Sequence, residues 1–166
     1  MKKYVREACS VLLFAAVFGM FVLSGCGEGG GTKDKIEGSC EEVLAQVYEK
    51  ADLDEEQRTA MKEYVASGIP AESAEYILGT TEIAYTDAVC SAPQINVVPY
   101  QCVLLRLEEG ADAEAAKQLL LDNANPRMWV CVEADSVVVE NKGDLVLFLM
   151  ADANVAEAIR TSFLNL

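Results

Sequence analysis

Six consecutive apolar residues, Leu145 to Met150, constrain the fold of this chain more than any other segment. Successive side chains of a β-strand point to opposite faces of a sheet, so a strand without polar positions needs cover on both faces. The segment 144–151 is therefore predicted to be a central strand. Helices are expected on both sides of the sheet to which it belongs.

Capping residues mark two helices ahead of the strands. Ser39 with Glu42, and Asp54 with Gln57, have the spacing of capping boxes, in which side chains bind the free backbone N–H groups of a helix start. Gly68 ends the second of these helices, and Pro70 suits the first turn of a further short helix that ends near Gly79. The predicted N-terminal helices cover residues 39–51, 54–68 and 70–79.

The rest of the chain alternates between strand and helix patterns. Apolar runs predict strands at 81–89, 100–107, 128–140 and 144–151, and helical spacing predicts helices at 111–123 and 154–163. We expect an α+β fold with an antiparallel four-stranded sheet, in the order 81–89, 100–107, 144–151, 128–140. This ββαββα order corresponds to a permuted ferredoxin-like plait, preceded by two or three helices. The last two helices should cover one face and the N-terminal helices the other.

The N-terminus has the layout of a secretory signal. Lys2, Lys3 and Arg6 precede an apolar run at 11–23, which ends in Leu23-Ser24-Gly25-Cys26. This ending resembles the lipobox of bacterial lipoprotein precursors. The resemblance implies that Cys26 receives a lipid and becomes the first residue of the mature chain. The alternative is an uncleaved membrane helix, although the run is shorter than the ~20 residues that span a bilayer.

Three regions follow from this layout: a signal peptide at 1–25, a flexible tether at 26–37 and a single folded domain at 38–166. The tether is rich in glycine and charged residues, which is typical of linkers. We expect the mature protein on the extracytoplasmic face of the cell membrane, held there by its lipid. Its expected partners are that membrane and an envelope protein.

The charge balance excludes one class of partner. The chain has 13 basic and 27 acidic residues, and removal of residues 1–25 leaves 10 and 26, a net charge of −16. Binding of nucleic acid depends on basic side chains that displace counterions, so no nucleic-acid partner is expected. The acidity favours solubility beside a negatively charged membrane, and cation capture is the alternative.

The sequence lacks the residues on which common active sites depend. It contains no histidine, the usual partner of a catalytic serine or cysteine and the commonest metal ligand. It also has no phosphate-binding glycine loop and no hydrolase motif. Asp52, Asp54 and Glu56 have part of the spacing of a calcium loop, but Gln57 replaces its glycine. We expect no catalytic residue, no metal site and no cofactor.

The segment 125–131 is the most distinctive part of the predicted domain. Strand alternation places Arg127 and Trp129 on the same face. A tryptophan beside an arginine is typical of a binding hot spot, so both are candidate interaction residues. Because its strand would lie beside the all-apolar central strand, we nevertheless expect Trp129 to be packed in the core beneath a covering helix.

Cysteine positions allow one disulfide. Cys90 and Cys102 lie at the two ends of the first strand connection and form the sequence-plausible pair, with free thiols as the alternative. Cys102 and Cys131 are predicted on strands with another strand between them. Their Cα atoms would be ~9–10 Å apart, which is too far for a disulfide.

Four short stretches carry a resemblance to a known family: 76–80, 104–108, 125–131 and 143–145. Over most of residues 39–166 the chain resembles a family of uncharacterised lipoproteins from clostridial-type Gram-positive bacteria. It departs from the pattern of that family at Gln94 and Met128. The resemblance implies no activity. The one functional residue that can be assigned from it is Cys26, through the lipobox.

The sequence has regular helix and strand patterns but no recognisable set of catalytic residues. This combination favours a non-enzymatic binding or interaction module at the cell envelope. Two alternatives stay open. A carboxylate-based enzyme acting on envelope polymers would need two acidic residues that converge in a cleft. A cation-binding lipoprotein would use the surplus of carboxylates instead.

Overall fold

The computed structural model describes residues 35–166, which form an α+β fold around one antiparallel sheet. The signal peptide, Cys26 and most of the tether lie outside these residues. The strands are β1 Val65–Gly68, β2 Tyr85–Ala92, β3 Gln101–Leu107, β4 Ser136–Lys142 and β5 Leu145–Ala151. The helices are α1 Cys40–Lys50, α2 Glu55–Glu63, α3 Ala74–Leu78, α4 Ala113–Asn123 and α5 Ala153–Leu164, with a 3₁₀ turn at Ala71–Ser73. Within 35–166, none of the helices has both the length and the apolar character needed to span a bilayer.

The sheet has five strands in the order β1-β2-β3-β5-β4. The predicted order of the last four is confirmed, but the prediction of four strands is wrong. The predicted second helix begins at its Asp54–Gln57 capping box yet ends at Glu63, since Tyr64 is already extended. Val65 and Gly68 are both weak helix formers, and pairing with Ala92 to Val89 of β2 satisfies their backbone instead.

The two faces of the sheet carry separate cores, as the apolar pattern of β5 predicts. Leu145, Leu147 and Leu149 pack with α1 and α5. On the other face, Val146, Phe148 and Met150 pack with α3 and α4. Every residue of β5 and of its neighbour β3 is buried.

The predicted placement of the helices is wrong, and with it the ferredoxin-like plait. In that fold both helices of the ββαββα unit cover one face, whereas here α4 and α5 lie on opposite faces. The reason is the apolar stripe of α1, with Val43, Leu44 and Val47 buried beside α5. Because α1 and α5 together fill one face, α4 is needed to cover the other.

A buried ion pair fixes the start of the described chain to one end of the sheet. Arg106 of β3 donates to Asp144, which precedes β5, and both side chains are only 10% exposed. Arg106 also donates to the carbonyl oxygen of Gly38 at 2.7 Å, and the backbone N–H of Ile36 donates to Asp144 at 3.4 Å. The N–H of Cys40, the first residue of α1, donates to Asp87 at 2.7 Å.

These contacts define two ends of the sheet. We call the end where β3 finishes and β5 begins the attachment end, because residues 36–40 are bound there. The opposite end, where β3 begins and β5 finishes, is the distal end. Seven residues of β3 separate the two ends by ~20 Å at the usual rise of a strand.

Replacement of Asp144 by Ala should lower the free energy of unfolding by ~3–5 kcal/mol, because it leaves the Arg106 guanidinium buried without its counter-charge. Urea denaturation of the purified mature protein measures this change. The matched control is Glu133→Ala, which breaks an exposed pair with Arg127 and should cost less than ~1 kcal/mol. Equal losses in the two variants would contradict the structural role of the buried pair.

Candidate functional site

Residues 125–134 form a closed loop between α4 and β4, so the predicted strand at 128–140 is wrong in its first half. The N–H of Ala134 donates to the carbonyl of Pro126 at 2.9 Å, which closes the neck of the loop. Arg127 and Glu133 form an ion pair at 2.5 Å across the same neck. No partner exists for a longer strand, because β5 ends at Ala151, opposite Ser136.

The two candidate interaction residues do not share a face. Trp129 points inward, is 8% exposed and packs in the α3/α4 core. Arg127 lies on the surface with its guanidinium largely exposed. The expectation that Trp129 fills the core is confirmed, although it does so from a loop and under α3 and α4. It therefore acts as the anchor of the loop.

Replacement of Trp129 by alanine distinguishes the two roles considered for this residue, which are packing in the core and direct contact with a partner. Trp129→Ala should lower the free energy of unfolding by ~3–5 kcal/mol, as other large core truncations do. Urea denaturation followed by circular dichroism gives the value. Arg127→Ala is the control and should change stability by less than ~1 kcal/mol. An unchanged stability for Trp129→Ala would contradict its burial.

A second loop, residues 93–99 between β2 and β3, lies beside the first. The N–H of Val130 donates to the carbonyl of Asn96 at 3.1 Å, which links the two loops. Four large apolar side chains on them face solvent and form what we call the distal apolar surface: Ile95 (63% exposed), Val97 (53%), Val130 (58%) and Val132 (37%). Both loops lie at the distal end, since β3 begins after one of them and β4 begins opposite the end of β5 after the other.

Sequence reasoning missed Ile95 and Val97. The signal that could have found them is a short apolar run between Pro93 and Pro99. Two prolines so close disfavour a continuous strand and indicate a loop. Val98 between them still packs against the α1/α5 core, so the run by itself does not specify which of its side chains are exposed.

Two depressions flank the distal apolar surface. On the α3/α4 side, a cavity of about 230 Å³ has a floor that includes Met128, Phe148 and Met150, with Glu75 and Tyr76 among its lining residues. On the other side, a cleft of about 310 Å³ lies between α2, residues 98–100 and the start of α5. The acidic side chains that line this cleft are Asp54, Glu56 and Asp152. Neither depression is lined by a lysine or an arginine.

Tyrosines form the inner wall of the cleft. The rings of Tyr64 and Tyr100 lie 4.7 Å apart with a tilt of 41°. Burial, and then the negative charge of Asp152, raise the pKa of Tyr64. The hydroxyl groups of Tyr100 and Tyr48 are hydrogen-bonded at 2.7 Å, and burial raises the pKa of both. The cleft therefore has acidic residues at its opening and neutral tyrosine side chains, two of them hydrogen-bonded to each other, at its inner wall.

Of the three carboxylates with calcium-like spacing, Asp54 serves as a helix cap. Asp54 accepts from the N–H of Gln57 at 2.8 Å, and Gln57 accepts from the N–H of Asp54 at 3.0 Å. Asp112 caps α4 through the N–H groups of Glu114 and Ala115. Among residues 35–166, no group of three or more histidine, cysteine, aspartate or glutamate side chains is arranged to hold a metal ion.

The proposed disulfide between Cys90 and Cys102 is wrong. Cys90 lies opposite Val103 and Cys102 lies opposite Ser91, so the two cysteines occupy successive positions of neighbouring strands and point to opposite faces of the sheet. Both are free and buried, as is Cys40, whereas Cys131 is free and exposed. Burial raises the pKa of Cys90 to about 11 and that of Cys102 to about 12. Burial and the neighbouring Asp87 raise the pKa of Cys40 to about 12.

These thiols should differ sharply in reactivity. In the folded mature protein at pH 7.5, a maleimide should modify Cys131 rapidly and leave Cys40, Cys90 and Cys102 intact, because thiolates are the reactive form. Mass spectrometry before and after addition of urea counts the modified thiols. The Cys131→Ser variant should show no rapid labelling. A Cys90–Cys102 disulfide peptide from protein prepared without reductant would contradict the structure.

Comparison with protein-family models, with curated proteins and with solved structures finds no match for this chain. The resemblance to clostridial-type lipoproteins therefore stays a prediction from the sequence. The features of the domain that bear on function are the two loops, the flanking depressions and the attachment of residues 36–40.

Proposed function

We propose that this chain is a lipid-anchored protein on the extracytoplasmic face of the cell membrane, and that its folded domain is a non-enzymatic binding module. The anchor is Cys26, on the strength of the signal and lipobox pattern. The single observation that supports the binding module is the separation between residues 36–40 at one end of the sheet and the distal apolar surface at the other.

This separation suits a tethered receptor or adaptor. A lipid at Cys26 and a tether that ends at the attachment end would leave the distal loops at the end of the domain farther from the tether, accessible to a partner. The helices already cover both faces of the sheet, so the loops at its distal end are the natural place for a partner. Loops on a rigid scaffold are where binding residues concentrate in other proteins.

The geometry leaves few residues for the two alternatives. An enzyme acting with two carboxylates would have to use Glu56 and Asp152 of the cleft, because Asp54 is occupied as the cap of α2. A cation-binding protein would use a cluster of ligands, which the residues described by the structure do not supply. The binding module is the function for which the exposed loops provide a surface.

Lipidation is tested directly in the native host. The mature protein should begin at Cys26, carry acyl chains on that residue and sediment with membranes, whereas Cys26→Ser should be neither lipidated nor retained. Mass spectrometry of the N-terminal peptide and growth with an alkyne-labelled fatty acid measure the two properties. Cys131→Ser is the control and should be lipidated normally. An unmodified Cys26 in the native protein would rule out the anchor.

Labelling of Cys131 tests on which side of the membrane the folded domain lies. A membrane-impermeant maleimide added to intact cells should label Cys131, because this residue is exposed in the folded protein. Labelling that requires cell lysis would contradict the extracytoplasmic location.

A further inference from the structure

We propose that the distal apolar surface, formed by Ile95, Val97, Val130 and Val132, docks a segment of another protein that carries apolar side chains flanked by lysine or arginine. This inference rests on the proposed function and specifies the chemistry of the partner.

The four side chains form a preorganised contact surface. Their loops are joined by the hydrogen bond between Val130 and Asn96, and the longer loop is closed at its neck and anchored by buried Trp129. Surfaces that are held in place before binding lose less conformational entropy when the partner arrives. Clustered exposed apolar side chains, unlike scattered ones, mark interaction sites.

Charge around this surface selects a basic partner. Residues 98 and 99, the last two of the shorter loop, line the cleft that carries Asp54, Glu56 and Asp152. On the other side, Met128 lines the cavity that carries Glu75. Arg127 is the basic residue of the longer loop, and Glu133 already neutralises it. Basic groups on a partner would therefore meet carboxylates that form no ion pair within the domain, such as Glu56, Asp152 and Glu75, on both flanks of an apolar centre, which is the usual arrangement of core and rim.

The same charges disfavour two other occupants. A second copy of the chain would bring together two surfaces of the same sign, on a protein whose mature net charge is −16. A membrane surface with anionic headgroups would be repelled by the flanking carboxylates. The attachment of residues 36–40 also lies at the end of the sheet opposite the loops.

Site-specific photo-crosslinking in the native host tests the docking surface on the full chain. Ile95 and Val130 are each replaced by p-benzoylphenylalanine, and the controls carry it at Leu121, which is 43% exposed on α4, or at Glu109 near the attachment end. We expect adducts with another protein from Ile95 and Val130, and at least about tenfold less from the controls. The crosslinked peptide of the partner should contain lysine or arginine close to apolar residues.

Several outcomes would overturn the proposal. They are equal adducts from Leu121 or Glu109, adducts between two copies of the chain, adducts with lipid, a crosslinked segment without basic residues, and no adduct from either loop. A failure of the proposed lipid anchor gives a different result. In that case the Cys26→Ser variant would remain bound to membranes, or Cys26 of the native protein would be unmodified, whatever the crosslinking pattern.

A charge-matched pair of variants tests the flanking carboxylates. Glu56→Gln, Glu75→Gln and Asp152→Asn, combined in one chain, should reduce the Val130 adduct at least about threefold, because the rim no longer attracts the basic groups. The control combines Glu41→Gln, Glu108→Gln and Glu109→Gln, which remove the same charge near the attachment end. Circular dichroism verifies that both fold. Equal adduct yields from the two variants would overturn the requirement for a basic partner.

Discussion

The fold depends on the burial of two neighbouring strands, β3 and β5, at every position. Such a strand pair cannot lie at a surface, so it requires a layer of helices on each face. The α1 and α5 helices supply one layer, and α3 and α4 supply the other. Arg106 is the one charged residue in these strands, and its burial requires Asp144 and the carbonyl of Gly38 as partners.

This arrangement restricts where a partner could bind. Both faces of the sheet are covered by helices, and residues 36–40 occupy its attachment end. The distal end is left with two loops whose apolar side chains face solvent rather than the core. The same restriction gives Trp129 its role, because a loop that displays valines outward needs an apolar residue that holds it to the core. The burial of the tryptophan and the exposure of its neighbours are thus parts of one arrangement.

The polar chemistry of the chain serves the fold in most places. Asp54 and Asp112 cap helices, Glu140 pairs with Arg160 at 2.7 Å, and the hydroxyl of Ser162 donates to the carbonyl of Val47 at 2.7 Å. Among the described residues, no buried side-chain nitrogen or oxygen lacks a hydrogen-bond partner. The carboxylates that flank the distal loops face open depressions without a basic residue in the lining, and the same is true of Glu55 and Glu63 on the exposed side of α2.

Local signals in the sequence determined most of the elements and the order of four strands. The capping boxes at Ser39 and Asp54 place helix starts because they act within one turn, and the unbroken apolar run of β5 specifies a central strand by itself. The remaining elements depend on contacts between distant parts of the chain. Residues 65–68 became a strand because the edge of β2 was available for pairing, and 128–135 became a loop because β5 ends opposite Ser136. The exposed faces of Ile95 and Val130 likewise depend on how two loops, distant in sequence, meet beyond the end of the sheet, which no local pattern encodes.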